Sequence, residues 1–517
     1  MNTLIEILKS AQNLTNTENG GITHSTTNSK VLDMFGIGAA YRKRTDEDII
    51  SLFKGAFAED KELALKCLFY IRDVRGGQGE RRFFRVAFRW LCDNYSETAR
   101  LNLKNVAEYG RWDDLIYSTI DTRVEKTAFL LIKKQLTLDL QSKTPSLLAK
   151  WMPSQNASSK KTKQTGYKLA KFMGLSNEEY RKCLSLLRKK INIIERLMSE
   201  NRWDEIEFDK IPSRAGMIYR NAFARKDIIA EKYRRFMKNK NTKVNASTLY
   251  PHEIVSKVWN INLYRTPIYD VERQTLQKYW DNLPDYYNGR KENGIAIVDT
   301  SGSMWGTPMN AALSLGAYIA DKAHGPFANH FITFSSNPHL IKFEGEDIVD
   351  KFWKAKDAEW GNNTNIKKVF DLLLSVALDQ RVKKEDMPTR LYIFSDMEFD
   401  SAFSDKFINH GFFNMTFNNM LDGGPFNNFK TFNNFAFNSD IEKIKKEWAN
   451  YGYELPEIVF WNLDAREKHI PAIGEGFSYV SGFSPSMIEQ ILGGKTGYEL
   501  MIEKLINSGR YDAIVVK

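Results

Sequence analysis

The stretch Gly294–Met304, GIAIVDTSGSM, decides how this chain is read. Five apolar or small residues running into Asp299 make a short strand of the kind that parallel sheets bury on both faces. Asp299 is followed at once by Thr300, Ser301, Gly302 and Ser303. Hydroxyls two positions apart point the same way from an extended turn, and Gly302 between them permits tight curvature. A helix over 308–322 then opens on Pro308, at the first turn, where a missing amide costs nothing. Outward from this unit the alternation continues. Strands are expected at 330–335, 338–343 (an edge), 390–395, 457–463 and 477–482. Helices are expected at 365–378, 441–451, 485–492 and 497–508, before a last apolar run at 513–516. Strands alternating with helices mean βαβ units in a doubly wound, mainly parallel sheet. Such sheets bind ligands beyond the carboxyl ends of their strands, where the strand order reverses.

The polar residues fall at those ends. Asp299, Ser301 and Ser303 follow the first strand, Gly361-Asn362-Asn363-Thr364 precedes a helix, and Asp396 ends the strand RLYIFS. Hydroxyls, carboxylates and water are hard oxygen ligands, suited to Mg²⁺ or Ca²⁺ rather than zinc. Mg²⁺ wants six oxygens, so water or a partner completes the shell. The set DTSGS, Thr364 and Asp396 resembles the metal-ion-dependent adhesion site (MIDAS) of von Willebrand factor A domains. That resemblance implies a Rossmann-like A domain with Ser301, Ser303 and Thr364 as direct ligands. It gives Asp299 and Asp396 roles through water or supporting bonds. It also implies Mg²⁺, or another divalent cation such as Ca²⁺ or Mn²⁺, and a protein partner that donates an acidic residue.

The part before this sheet has a different texture. Residues 291–517 hold 23 Lys+Arg and 30 Asp+Glu, net −7, whereas residues 1–290 hold 51 and 34, net +17. A basic module faces a polyanion. Helical periodicity dominates from 45 to 290, with helices expected over 47–57, 61–73, 81–91, 101–109, 124–139, 181–198 and 217–239. Arg111-Trp112-Asp113-Asp114-Leu115 recurs as Arg202-Trp203-Asp204-Glu205-Ile206, a hint of stacked helical hairpins. Residues 152–165 read as an exposed loop, rich in Ser, Asn and Lys. Candidate RNA-backbone contacts are Lys150, Lys160, Lys161, Lys163 and Lys168 there, and Arg214, Arg220, Arg225, Arg234 and Arg235 in a second tract interleaved with aromatics. The competing reading of that second tract is an amphipathic helix with its aromatics in the core. Arg72 to Arg82 (RDVRGGQGERR) lacks the spacing and the Lys-Ser/Thr ending of a Walker loop and reads as a helix–helix corner.

The layout as a whole is similar to the Ro ribonucleoprotein (TROVE) proteins. It also resembles a family of unknown function that shares RDVRGGQGERRFFR, YGRWDDL, LYPHE, DTSGSM, WGNNTN, IFSDMEFD and EIVFWNL. Ro-like proteins imply a HEAT-like helical ring, closed by the A domain, that binds small noncoding or misfolded RNA. The expected organisation is therefore an N-terminal extension at 1–44, a basic α-helical domain at 45–290, and an α/β domain at 291–517. The last carries an insertion at 411–438 with eight Phe and eight Asn. The alternative is a protein-interaction or assembly module without nucleic acid, including a viral or structural component. No HExxH or GxSxG motif argues for an enzyme, and Glu398 is the one base worth testing. Scattered Cys67, Cys92 and Cys183 fit a reducing interior. With neither a signal peptide nor a long apolar run, a cytoplasmic location without membrane is expected.

Overall fold

The computed structural model describes residues 13–517 except 192–193, 262–266, 288, 290–292, 335–337, 357–364, 403–438, 486 and 492–495. It has an α + α/β layout: helices up to Asp281, then a six-stranded mixed sheet with its own helices.

Helices Asp46–Glu59, Lys61–Arg72, Arg82–Asn94, Ser96–Tyr109, Trp112–Thr119 and Glu125–Gln141 succeed one another across short connections. Their starts are written locally. Thr45 and Asp48 form a reciprocal capping box, and the Asp60 side chain accepts from Leu63 N. In Arg82–Asn94 the buried Phe83, Phe84, Ala87, Phe88 and Leu91 make one stripe at helical spacing. Each helix packs on the next and on the next but one, so the apolar faces merge into one continuous core.

Three local expectations need correction. The stretch 217–239 is two helices, Ser213–Arg225 and Asp227–Lys238, broken at Lys226, whose backbone is extended. The stretch 152–165 is not an exposed loop. Met152, Pro153 and Gln155 are buried, and a helix begins at Lys160 because the Ser159 side chain accepts from Thr162 N. The apolar Met and the cap outweigh the polar composition. The second copy of the repeated phrase is a single 3₁₀ turn, Trp203–Glu205, not a helix start.

The corner after Arg72 spends its amides internally. Arg75 N and Gly76 N donate to Asp73 Oδ1 at 2.9 and 3.2 Å, while Gln78, Gly79 and Glu80 N donate to the carbonyls of Tyr70, Asp73 and Ile71. A Cβ on Gly77 would lie 2.0 Å from the Tyr70 carbonyl oxygen, so that glycine serves a tight backbone crossing.

The large sheet comprises β3 (Gly294–Asp299), β4 (His330–Phe334), β5 (His339–Lys342), β6 (Arg390–Ser395), β7 (Glu457–Asn462) and β8 (Phe477–Ser481), in the order β5-β4-β3-β6-β7-β8. Only β5 runs antiparallel to its neighbour. All residues of β3 and β6 are buried, as central strands require. From β3 the chain moves outward through β4 and β5 and then returns to β6 on the other side. The order therefore reverses between β3 and β6, and Asp299 and Asp396 end up side by side.

The two chain ends cross onto the opposite halves. Residues 14–24 form a hairpin of β1 (Leu14–Asn16) and β2 (Ile22–His24). His24 exchanges backbone hydrogen bonds with Ile470 at 3.0 and 2.8 Å, and helix Lys30–Ile37 packs on β8. Residues 510–517 in turn lie against the helices, where Arg510 pairs with Asp73 and the Tyr511 hydroxyl donates to it at 3.0 Å.

Candidate metal centre

The site is assembled by the turns after β3 and β6. Register places Val298 opposite Phe394, so Ser395 reaches Asp299 and donates from Oγ to Asp299 Oδ2 at 2.6 Å. Ser301 N donates to Asp299 Oδ1 at 2.9 Å, which folds the turn back on its own carboxylate. Ser301 Oγ and Ser303 Oγ then stand 2.9 Å apart. Met397 adopts a φ of 68°, and that left-handed residue turns the chain so that Glu398 N donates to Asp396 Oδ1 at 3.2 Å. Asp299, Ser301 and Asp396 are all buried.

The other Asp396 oxygen, Oδ2, is buried and makes no well-aligned hydrogen bond, although the Ser303 hydroxyl lies close enough to Asp396 to lower its carboxyl. Arg466 Nη2 forms an ion pair with it at 3.4 Å without the alignment of a hydrogen bond, while Nη1 of the same guanidinium holds Glu18 at 2.6 Å. Burial raises the Asp299 carboxyl well above the carboxylate range, and the neighbouring Asp396 raises it further. Burial likewise raises Asp396. Two buried acids that resist ionisation, one with an oxygen short of hydrogen bonds beside two converging hydroxyls, suit a hard divalent cation. Among the described residues no cluster of three His, Cys, Asp or Glu could hold a metal. Any ion here therefore depends on the serine hydroxyls and on water. Thr364, the remaining expected ligand, lies outside the described residues, as does the insertion 411–438.

Sequence reasoning missed Ser395, although it is the last residue of the strand RLYIFS, and it missed Arg466, for which no motif exists. Glu398 is buried and its oxygens are committed. Oε1 meets His469 Nδ1 at 2.9 Å, and Oε2 accepts from Glu18 N at 2.8 Å. A role as a base would require those bonds to break.

The basic candidates divide sharply. Arg220 is buried, donating to the Met217 carbonyl and pairing with Glu272 at 2.9 Å. Lys168 is shared by Asp121 and Glu125 at 2.6 and 2.5 Å, and Arg214 pairs with Glu253 at 3.0 Å. Arg234 and Arg235 both hold Glu231. Lys150 lies over the Trp151 ring. Arg225, Lys160, Lys161 and Lys163 are exposed. The aromatics of the second tract are mainly core: Phe223 and Tyr233 are each 1% exposed and pack on Phe208. They are unavailable for stacking on bases.

Residues 17–116 and 137–286 match the family described as Domain of unknown function (DUF2828), and residues 293–509 match Domain of unknown function (DUF7788). The uncharacterised protein L728 of Acanthamoeba polyphaga mimivirus is 30% identical, over 93% of this chain and 85% of its own length. These matches overturn the resemblance to the Ro (TROVE) and von Willebrand factor A families, since DUF2828 is a family of its own and neither of those two families matches. The error has a physical source. Any doubly wound sheet places polar residues at its switch point, and basic helices before such a sheet are a layout rather than a signature.

Proposed function

We propose, for a chain that belongs to the same family as mimivirus protein L728, that this is a binding protein whose sheet half presents a divalent cation to a partner. Asp396, Ser301 and Ser303 would hold the ion, with Asp299 orienting the turn and Thr364 adding a further hydroxyl. Mg²⁺ is the first candidate, and Ca²⁺ or Mn²⁺ are its substitutes. The ion would supply positive charge at an open coordination position, and an acidic side chain of a protein partner would fill that position. The observation carrying this reading is Asp396 Oδ2, a buried carboxylate oxygen with no well-aligned hydrogen bond at the reversal of strand order. Among the described residues nothing offers a free base beside that position, so we read it as a contact site and not a catalytic one. Manganese titration followed by electron paramagnetic resonance tests it. The free-ion signal should be lost up to one ion per chain, and Ser301→Ala with Ser303→Ala should restore it. Full free-ion signal with the unmodified chain would overturn the reading.

A second reading, RNA binding by the helical half, is favoured by one specific feature. Lys160, Lys161 and Lys163 occupy the first turn of helix Lys160–Met173, which has no acidic residue there. Cations at a helix N-terminus oppose its dipole, so their placement costs stability and concentrates positive potential at one exposed spot. Phosphates of a small structured noncoding RNA would meet that potential without base readout. Part of the same reading is that the helices form a HEAT-like stack, supported by the packing of each helix on its next two neighbours, with the Rossmann-like sheet closing a ring. Filter binding at about 50 mM salt tests it, because non-specific affinity there is largest. No binding would remove the RNA reading and leave an assembly module that recognises protein alone.

A further inference from the structure

Residues 513–517 run along helix Ser96–Tyr109 outside any strand or helix, yet side chains of that helix satisfy their backbone. Asn105 Nδ2 donates to the Ala513 carbonyl at 2.8 Å. Asn102 engages both backbone groups of Val515: Nδ2 donates to the carbonyl at 2.7 Å and Oδ1 accepts from the amide at 3.2 Å. Thr98 Oγ1 does the same with Lys517, donating to its carbonyl at 3.2 Å and accepting from its amide at 3.3 Å. Positions 98, 102 and 105 step by four and three along one helix face, and they meet every second residue of the segment in antiparallel order. This is how an extended chain is read through its main chain rather than its side chains.

The helix gives up something for this face. Asn disfavours helix interiors because its amide competes for backbone groups, and here two of them are buried within one helix. Side-chain selectivity falls mainly on two fully buried positions, with Val516 partly buried against the core as a third. Tyr511 is 1% exposed, its ring 5.3 Å from Tyr109 and 6.2 Å from Tyr70. Ile514, whose amide closes a turn on the Tyr511 carbonyl at 3.0 Å, is 2% exposed. Asp512, Ala513, Val515 and Lys517 point outward and are exposed.

We propose that this helix face is a peptide-binding groove, and that residues 511–517 are a ligand built into the chain. Its partner is a polypeptide segment carrying an aromatic residue, an aliphatic residue three positions later, and then an extended run whose only further preference is a small apolar residue at the position of Val516. Main-chain recognition by Thr98, Asn102 and Asn105 sets affinity, and the Tyr511 and Ile514 pockets set selectivity. Gly509, at φ 65°, precedes the segment and supplies the turn about which it would leave. The groove is independent of the cation site.

A fluorescent peptide RYDAIVVK, followed by anisotropy, tests this on two proteins. One is the chain ending at Gly509; the other is the full chain carrying Tyr511→Ala and Ile514→Ala, which keeps every groove residue. Both should bind the peptide at least tenfold more tightly than the unaltered chain, whose groove is filled at high effective concentration. Asn102→Ala in either background should weaken binding about tenfold, from the loss of two backbone hydrogen bonds. A peptide with both residues replaced by Ala should not compete. The proposal is overturned if neither opened protein, with native circular dichroism in at least one, binds the peptide. It is also overturned if binding ignores Asn102→Ala. If both opened proteins unfold, the segment is an obligatory part of the core and the groove proposal fails.

Discussion

The basic helical half and the acidic end of the sheet differ in what their charges lack. In the helical half five of the ten singled-out cations already hold an acid: Arg220 with Glu272, Lys168 with Asp121 and Glu125, Arg214 with Glu253, and Arg234 and Arg235 with Glu231. At the sheet end the reverse holds, with two buried carboxyls close together and one oxygen left without a well-aligned hydrogen bond. Net charge pointed to the first region, whereas a buried carboxylate oxygen without a well-aligned hydrogen bond points to the second. An ion pair that is already satisfied has little to offer a ligand, and a buried oxygen short of hydrogen bonds has a free-energy reason to take one.

The comparison is broken most forcefully at Asp114. It is fully buried and binds Arg72 Nη2 at 2.6 Å and Arg85 Nε at 2.7 Å, while Asp113 links Arg85 to Arg111. Asp114→Ala would strand Arg72, 3% exposed, and leave Arg85 only Asp113, and it should cost about 3–5 kcal/mol in urea unfolding. The matching acid of the repeated phrase, Glu205, is exposed and paired with Arg202, so Glu205→Ala should leave the urea midpoint unmoved. Equal effects would mean that the phrase carries the same load in both places.

The second effect is at the sheet end. Mg²⁺ at 100 times its dissociation constant should add about 2.7 kcal/mol to unfolding free energy. Asp396→Asn should abolish that increment while folding normally, since the amide keeps the shape but not the charge. A cation increment that survives in Asp396→Asn places the ion elsewhere.

Third comes pH. Burial, with help from Arg42 and Arg214, pushes the His252 imidazole down from 6.5 to about 3. Its ring sits 4.8 Å from that of Phe483. The folded state binds this proton less readily than the unfolded one. The contribution is therefore whole above pH 6.5 and is lost as pH falls from 6.5 toward 3. About 1–2 kcal/mol should disappear between pH 7 and pH 5, and His252→Gln should flatten that limb of the urea-stability profile.

The smallest effect separates surface from scaffold among the basic residues. Replacing Lys160, Lys161 and Lys163 by Ala should reduce the slope of log RNA affinity against log salt by about 2–3 while leaving the melting temperature level or slightly raised, since the helix dipole is no longer opposed. An unchanged slope would mean that phosphates are met elsewhere, with Arg225 the next residue to test.

The α/β half was legible because its signals are local. A buried run ending in Asp299, a proline opening the next helix and the strand RLYIFS each fix an element, and βαβ connectivity places their ends together. The helical half was legible as helices but not at its joints. Lys226 breaks a continuous-looking pattern, and Ser159 starts a helix inside a segment whose composition reads as loop. Of the candidate site, the sequence named Asp299, Ser301, Ser303 and Asp396, which the fold brings together at the ends of β3 and β6. Arg466 and Glu18 reach it only through tertiary folding, from points 448 residues apart. The crossing of the chain ends was invisible for the same reason, because nothing local in Asn102 or Asn105 announces Val515 and Ala513.

An ion beside Asp396 would be seen most directly in anomalous diffraction from crystals grown with Mn²⁺. A single strong peak is expected within about 2.5 Å of Ser301 Oγ, Ser303 Oγ or an Asp396 carboxylate oxygen, lost in Asp396→Asn. Clear density for all these side chains with no peak among them would contradict the proposed cation site.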